Sequence, residues 1–212
     1  MSTPWEAVVN WERETHRKLV SNMKNATSAE FSTVDLLLKS DAETRAVDAF
    51  TLSWVKLEKQ LRRLTSNLIF QHSAFEDGER EHKTAVRAAI LRKTTANHDK
   101  FIGAIYRLSN RSVKDLMQDE YKALKRDTDT AYQYRKKILH GQQTGHSLTR
   151  TELEKCISSM RAWCELLADR ANERIGYDGF SRNSLRKNGR EEITAAVDEA
   201  LVGGWEEFIR KI

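Results

Sequence analysis

Apolar residues at Phe50, Trp54, Leu57, Leu61, Leu64 and Leu68 recur at alternating steps of four and three. Glu58, Lys59, Gln60, Arg62 and Arg63 fill the gaps. On an α-helix that period gathers the apolar side chains on one face, so the segment predicts a one-sided helix of about 25 residues. Leu153, Ile157, Met160, Cys164, Leu167 and Ala171 repeat the spacing in a second segment. Two less regular segments run roughly over 83–108 (Val86, Ile90, Phe101, Ile105) and 112–139 (Val113, Leu116, Leu124, Ala131, Ile138). Alternating apolar and polar runs of strand type are absent. The expected fold class is therefore all-α, an antiparallel four- to five-helix bundle with short connections.

The breaks between segments are legible. Phe75-Glu76-Asp77-Gly78 reads as a loop and Ser109-Asn110 as a short turn. His140-Gly141-Gln142-Gln143-Thr144-Gly145 ends one helix, with Gly141 a candidate left-handed residue. Thr149 or Thr151 can cap the next helix, with Glu152 or Glu154 in its first turn. Three regions follow. Residues 1–45 form an N-terminal helical extension, with an amphipathic stretch (Trp5, Val8, Val9, Leu19, Met23) and a short turn at Val34–Leu38. Residues 46–175 form the bundle. Residues 176–212 form a glycine- and arginine-rich loop (176–190) and a last helix carrying Ile193, Val197, Leu201, Trp205 and Phe208.

Composition narrows the class. The chain has 212 residues, one Pro and nine Gly, which excludes collagen-like, proline-rich and low-complexity chains. It contains no apolar run long enough to span a bilayer, and its start lacks the pattern of a signal peptide, so a cytoplasmic protein without a membrane partner is expected. Lys and Arg exceed Asp and Glu by five, giving a pI near 9.2, which is compatible with a phosphate-rich partner. Cys156 and Cys164 lie eight apart, about 12 Å along a helix axis. That exceeds the roughly 7 Å a disulfide spans, so both are expected as reduced, buried thiols.

Most catalytic motifs are missing. There is no His-Glu-x-x-His, Cys-x-x-Cys or Asp-x-Asp loop, and neither a metal nor a cofactor is expected. Glu12 and His16 read as an exposed helical pair. Phosphate-binding glycine loops and a Gly-x-Ser-x-Gly elbow are also absent. What remains is Tyr132-Gln133-Tyr134-Arg135-Lys136-Lys137-Ile138-Leu139-His140-Gly141. A spacing of five places Arg135 and His140 about 140° apart on an ideal helix. They converge only if the helix unwinds at His140, which Gly141 permits. The pair is a minimal phosphodiester toolkit. His140 exchanges protons near neutral pH, and Arg135 grips a non-bridging phosphate oxygen. An RNA 2′-OH would supply the nucleophile.

This segment resembles the HEPN family (higher eukaryote and prokaryote nucleotide-binding domains). That family is a bundle of four to five helices with an Arg, four to six residues and then a His near an inter-helix loop. The motif here reads Arg135-Lys-Lys-Ile-Leu-His140, and Leu52-Ser-Trp-Val-Lys-Leu-Glu-Lys-Gln-Leu-Arg-Arg-Leu is similar to the family's first core helix. The resemblance covers roughly residues 46–175. It implies a metal-independent endoribonuclease, commonly a toxin or phage-defence effector, in which two protomers share one cleft. It also implies Arg135 on the scissile phosphate and His140 as general acid or base. Lys136 departs from the polar residue the family often has after the Arg. It is either an extra phosphate contact or the mark of a member that only binds RNA.

Other residues join the candidate RNA surface. Tyr134 is placed to stack a base or to pack in the core. In the loop 176–190, Tyr177, Phe180, Arg182, Arg186, Lys187 and Arg190 interleave aromatics with cations, a mix that suits a single strand, or else Tyr177 and Phe180 pack the loop onto the bundle and leave the cations solvated. Glu58 pairs with Arg62 on the surface or orients Arg135 across the bundle, the first being the expected arrangement. His146 reads as an exposed loop residue, and Lys83, Arg87, Arg92 and Lys93 as one solvated helix face. The expected partners are RNA, a second copy of the chain and an antitoxin or defence-system protein. Two rival functions stay open: a non-catalytic RNA- or nucleotide-binding module, and a helical adaptor docking through Trp5, Trp11 and Trp205.

Overall fold

The computed structural model describes residues 26–75, 80–94, 96–139, 148–181 and 186–212. Every regular element among them is helical. Residues 26–38 form α1. There follow α2 (Glu43–Ile69), α3 (Arg80–Arg92), α4 (His98–Ser109), α5 (Val113–Met117), a 3₁₀ turn (Gln118–Glu120), α6 (Tyr121–Leu139), α7 (Arg150–Ile175), α8 (Glu191–Ala200) and α9 (Trp205–Arg210). None of the described helices is long and apolar enough to cross a membrane.

The long stripe does what its period dictates. Phe50, Trp54, Leu57, Leu61, Leu64 and Leu68 are all buried on α2. That helix lies at the centre and packs against α7, α4, α3, α6 and α8. The stripe of α7 is equally buried, from Leu153 to Ala171. Thr149 caps α7 in a reciprocal box: its hydroxyl accepts from the Glu152 N–H, and its own N–H donates to the Glu152 carboxylate at 2.9 Å. Cys156 and Cys164 are unpaired and buried on α7. Burial pushes the Cys156 thiol up to about 11 and Cys164 higher still, so both remain protonated.

The less regular segments are more broken than the spacing implied. Residues 83–108 are two helices, because the Asn97 side chain accepts from the Lys100 N–H and starts α4 afresh. Residues 112–139 divide at Gln118, which takes a φ of 53° between α5 and α6. The turn expected at Val34–Leu38 is helical, and Phe31 and Val34 are fully buried. The last helix divides around Gly203 and Gly204 into α8 and α9. One apolar cluster runs from Phe31 to Ile212 and includes Phe180, Val197 and Phe208. The boundary drawn after residue 45 falls inside α2, and the described parts of both flanking regions share the core of 46–175.

The described residues of the loop, 176–181 and 186–190, are fastened to the core through polar side chains of α2 and of the turn just after it. Gln60 is fully buried, and its amide donates to the carbonyls of Cys164 (2.8 Å) and Asp178 (3.1 Å). Arg63 donates to the Phe180 and Ser181 carbonyls at 2.7 and 2.6 Å. Gln71, just past α2, donates to the Arg186 carbonyl and accepts from the Asn188 N–H at 2.8 Å. Gly179 makes this close approach possible. Its φ is +84°, and a Cβ there would stand 2.6 Å from Gln60 Cγ. Gly179→Ala is expected to destabilise by about 1–2 kcal/mol from the left-handed backbone alone, and by more through the clash. The shift in denaturant midpoint measures it.

Candidate functional site

Arg135 lies one turn before the end of α6, with its side chain 30% exposed. Its guanidinium is 3.8 Å from Glu58 of α2 and 5.6 Å from the Trp54 ring centroid. The Trp54 Nε1–H donates to the same Glu58 carboxylate at 2.8 Å. Trp54 and Glu58 are four apart on α2, so one helical turn supplies both the ring beneath Arg135 and the acid beside it. Glu58 is thus aimed across the helices at Arg135, correcting the expected Glu58–Arg62 surface pair. Arg62 instead donates to the Ile90 and Lys93 carbonyls at 2.9 and 3.1 Å and lies over the Phe101 ring. Burial lowers the Arg62 pKa; Glu58 opposes this and Arg135 adds to it, so the two guanidinia share one carboxylate's field.

The packing continues inward from Trp54. Its ring stacks on Tyr132 of α6 at 5.6 Å and meets His98 of α4 edge-on at 5.3 Å. His98 is buried, with Nε2 3.4 Å from Asp129 and 3.5 Å from Asp99. These three residues bring metal-type donors together. However, the Lys125 ammonium bridges both carboxylates, at 3.1 Å to Asp99 and 2.5 Å to Asp129. A cation already stands where a metal would, so the donor set fits a structural ion cluster better than a divalent ion.

Burial holds His98 below the ordinary imidazole pKa; Asp99 and Asp129 oppose the shift and Lys125 reinforces it. The unfolded chain titrates near 6.5. Below that pH the unfolded state therefore takes up a proton that the folded state resists. The His98 contribution to stability is full above the unfolded pKa and lost as pH falls toward the folded one. Tm is expected to drop between about pH 7.5 and 5.5, and His98→Gln to flatten that part of the curve.

The other sequence candidates fall in different places. Lys136 is exposed beside Arg135, its ammonium 5.8 Å from the Tyr132 ring centroid. Tyr134 is half-buried and lines a cleft between α6 and α7 with Glu152 and Cys156, whereas Arg135 faces α2. Burial, then Glu152, raises its hydroxyl pKa. Tyr177 and Phe180 are core residues. The Tyr177 hydroxyl donates to the Ser181 carbonyl, so this ring anchors the loop and is not open to a base. The Arg186 backbone and the Lys187 ammonium are held at Gln71 and His72, past the end of α2. Eleven residues of α2 lie between Glu58 and the helix end at Ile69, a rise of about 16 Å, and Gln71 lies beyond that end. The structure does not bring these loop residues to Arg135. Trp205 is half-buried against the core. His140, Gly141, His146, Arg182, Glu12, His16, Trp5 and Trp11 lie outside the described residues.

Trp54, Tyr132 and His98 were not singled out as site residues. Tyr132 stands three before Arg135, and Trp54 four before Glu58, so helical spacing alone would have flagged both. No family model matches the chain, and no curated protein or solved structure matches it significantly.

Proposed function

We propose that the chain is a metal-independent endoribonuclease of HEPN type, with its long helices arranged as the family's antiparallel bundle. The observation that carries the proposal is the seating of Arg135. A guanidinium that is partly exposed at a helix end, backed by an aromatic ring and steered by a carboxylate, is organised to meet an anion from solvent. The motif then supplies His140 five residues on. In the reaction the RNA 2′-oxygen attacks the adjacent phosphorus and the bond to the 5′-oxygen breaks. His140 takes the 2′-OH proton as base or delivers one to the leaving 5′-oxygen as acid, while Arg135 stabilises the charge on the phosphoryl oxygens. The products are a 2′,3′-cyclic phosphate and a 5′-OH. Two protomers sharing the cleft, and a role as a toxin or phage-defence effector in the cytoplasm under a partner protein's control, complete the reading.

One observation favours a binding-only alternative. Lys136 adds a second exposed cation beside Arg135, which strengthens phosphate affinity without supplying a proton carrier. Incubating total RNA with the protein in EDTA separates the two. Fragments appear if the site is catalytic; retention of intact RNA supports the alternative.

A further inference from the structure

Beyond Arg135, α2 carries a second concentration of positive charge. Lys59, Arg63 and Ser66 form one ridge of that helix. Across from it stand Arg87, Ile90 and Leu91 of α3, with Tyr177 from the segment after α7. Together with Arg62 they line an open cleft of about 390 Å³. We propose that this cleft binds single-stranded RNA flanking the bond cut at Arg135. Lys59, Arg63 and Arg87 would take the phosphates, and the Leu91 side would take an unstacked base. The identity of the polymer rests on the ribonuclease reading; the cleft itself rests on charge and shape.

Among the described residues, no carboxylate lines the cleft. Arg62 and Arg63 are held by backbone carbonyls, which fix the guanidinia without neutralising them. Glu30 is shared between Lys56 and Lys59, at 3.1 and 2.6 Å. Glu58 is likewise shared between Arg62 and Arg135. Arg87 is exposed and makes no ion pair among the described residues. Among the described residues, the six cations Lys56, Lys59, Arg62, Arg63, Arg87 and Arg135 thus stand against the two carboxylates Glu30 and Glu58. Such a surface suits a polyanion.

The apolar part has the other half of the chemistry. Leu91 is 68% exposed, and it borders a floor made by Ile90 and buried Tyr177. Cations beside an exposed apolar wall match a sugar–phosphate backbone with its bases turned out. The cleft is also near the reacting centre. Arg62, which lines it, stands one helical turn from Glu58 and shares that carboxylate's field with Arg135. A strand gripped by Arg135 could run directly onto it.

The test is binding of a fluorescent single-stranded RNA whose 2′-oxygens are methylated, so that it cannot be cut. Wild type is compared with Arg87→Glu, Leu91→Ser and Arg126→Glu. Arg126 is 78% exposed and lines the cleft between α6 and α7, so it controls for charge alone. Arg87→Glu is expected to bind roughly tenfold more weakly at low salt and to flatten the slope of log affinity against log salt by about 0.7, the loss of one phosphate contact. Leu91→Ser is expected to weaken binding severalfold with the slope unchanged, and Arg126→Glu to alter neither. Because Arg87 and Leu91 are exposed, each variant should melt like wild type. Equal affinities for Arg87→Glu and Arg126→Glu, or no binding by wild type, overturn the proposal. Cleavage of ordinary RNA by wild type is scored separately. Cleavage with Arg87→Glu binding unchanged removes the cleft and keeps the nuclease; weakened binding without any cleavage removes the nuclease and keeps the cleft.

Discussion

His140→Ala is expected to lower EDTA-resistant RNA cleavage by about 10²- to 10⁴-fold, the range that one general acid or base supplies. Its Tm should match wild type. Arg135→Ala is expected to lose about 10²- to 10³-fold, as for one donor that stabilises developing charge. Arg135→Lys should recover little of this. An ammonium keeps the charge but cannot form the planar two-point grip on a phosphate or lie flat over Trp54. Wild-type rates for His140→Ala or Arg135→Ala would remove this site. The rates come from initial velocities on a single end-labelled RNA, and differential scanning calorimetry supplies the folding control.

Trp54→Ala is expected to be the most damaging single change to the fold near the site, costing about 3–5 kcal/mol. The ring is 1% exposed and packs against both Tyr132 and His98. Truncation opens a cavity between α2, α4 and α6 and removes the surface under Arg135. Trp54→Phe separates the two roles. It keeps most of the volume but deletes the N–H that holds Glu58 at 2.8 Å. The expected cost is about 1 kcal/mol for the lost hydrogen bond. If Glu58 steers Arg135, this milder variant should still cleave more slowly than its stability implies. Urea denaturation followed by circular dichroism gives the stabilities, and cleavage rates well below the transition give the activities.

How legible the molecule was depended on whether its signals were local. The α2 and α7 stripes were legible because buried helices must repeat at close to 3.6 residues. The Thr149 box was legible because a cap and its Glu sit three apart. The breaks at Asn97 and Gln118 were not. Asn97 is a capping residue inside an otherwise helical pattern, and the left-handed backbone at Gln118 has no compositional mark. The basic loop left two arrangements open, and only tertiary contacts decide between them. Its aromatic–cationic mixture resembles an RNA-binding strand, yet Tyr177 and Phe180 pack inward because Gln60 and Arg63 satisfy the loop's carbonyls. Those contacts join residues more than 100 apart, beyond the reach of any local pattern. The same distance hid the role of Glu58. From sequence it had a near neighbour in Arg62, but helix packing turned it toward Arg135.

The cleft between α2 and α3 was hidden in the same way. Arg87 read as part of a solvated face, and only the packing of α3 beside α2 sets it opposite Arg63. Sequence position supplied the cations, and tertiary structure gathered them into one surface.

The most direct measurement is end-mapping of RNA treated in EDTA with wild type and His140→Ala side by side. The account predicts 2′,3′-cyclic phosphate and 5′-OH ends in the wild-type lane alone. Fragments ending in 3′-OH and 5′-phosphate, or equal fragments in both lanes, would contradict it.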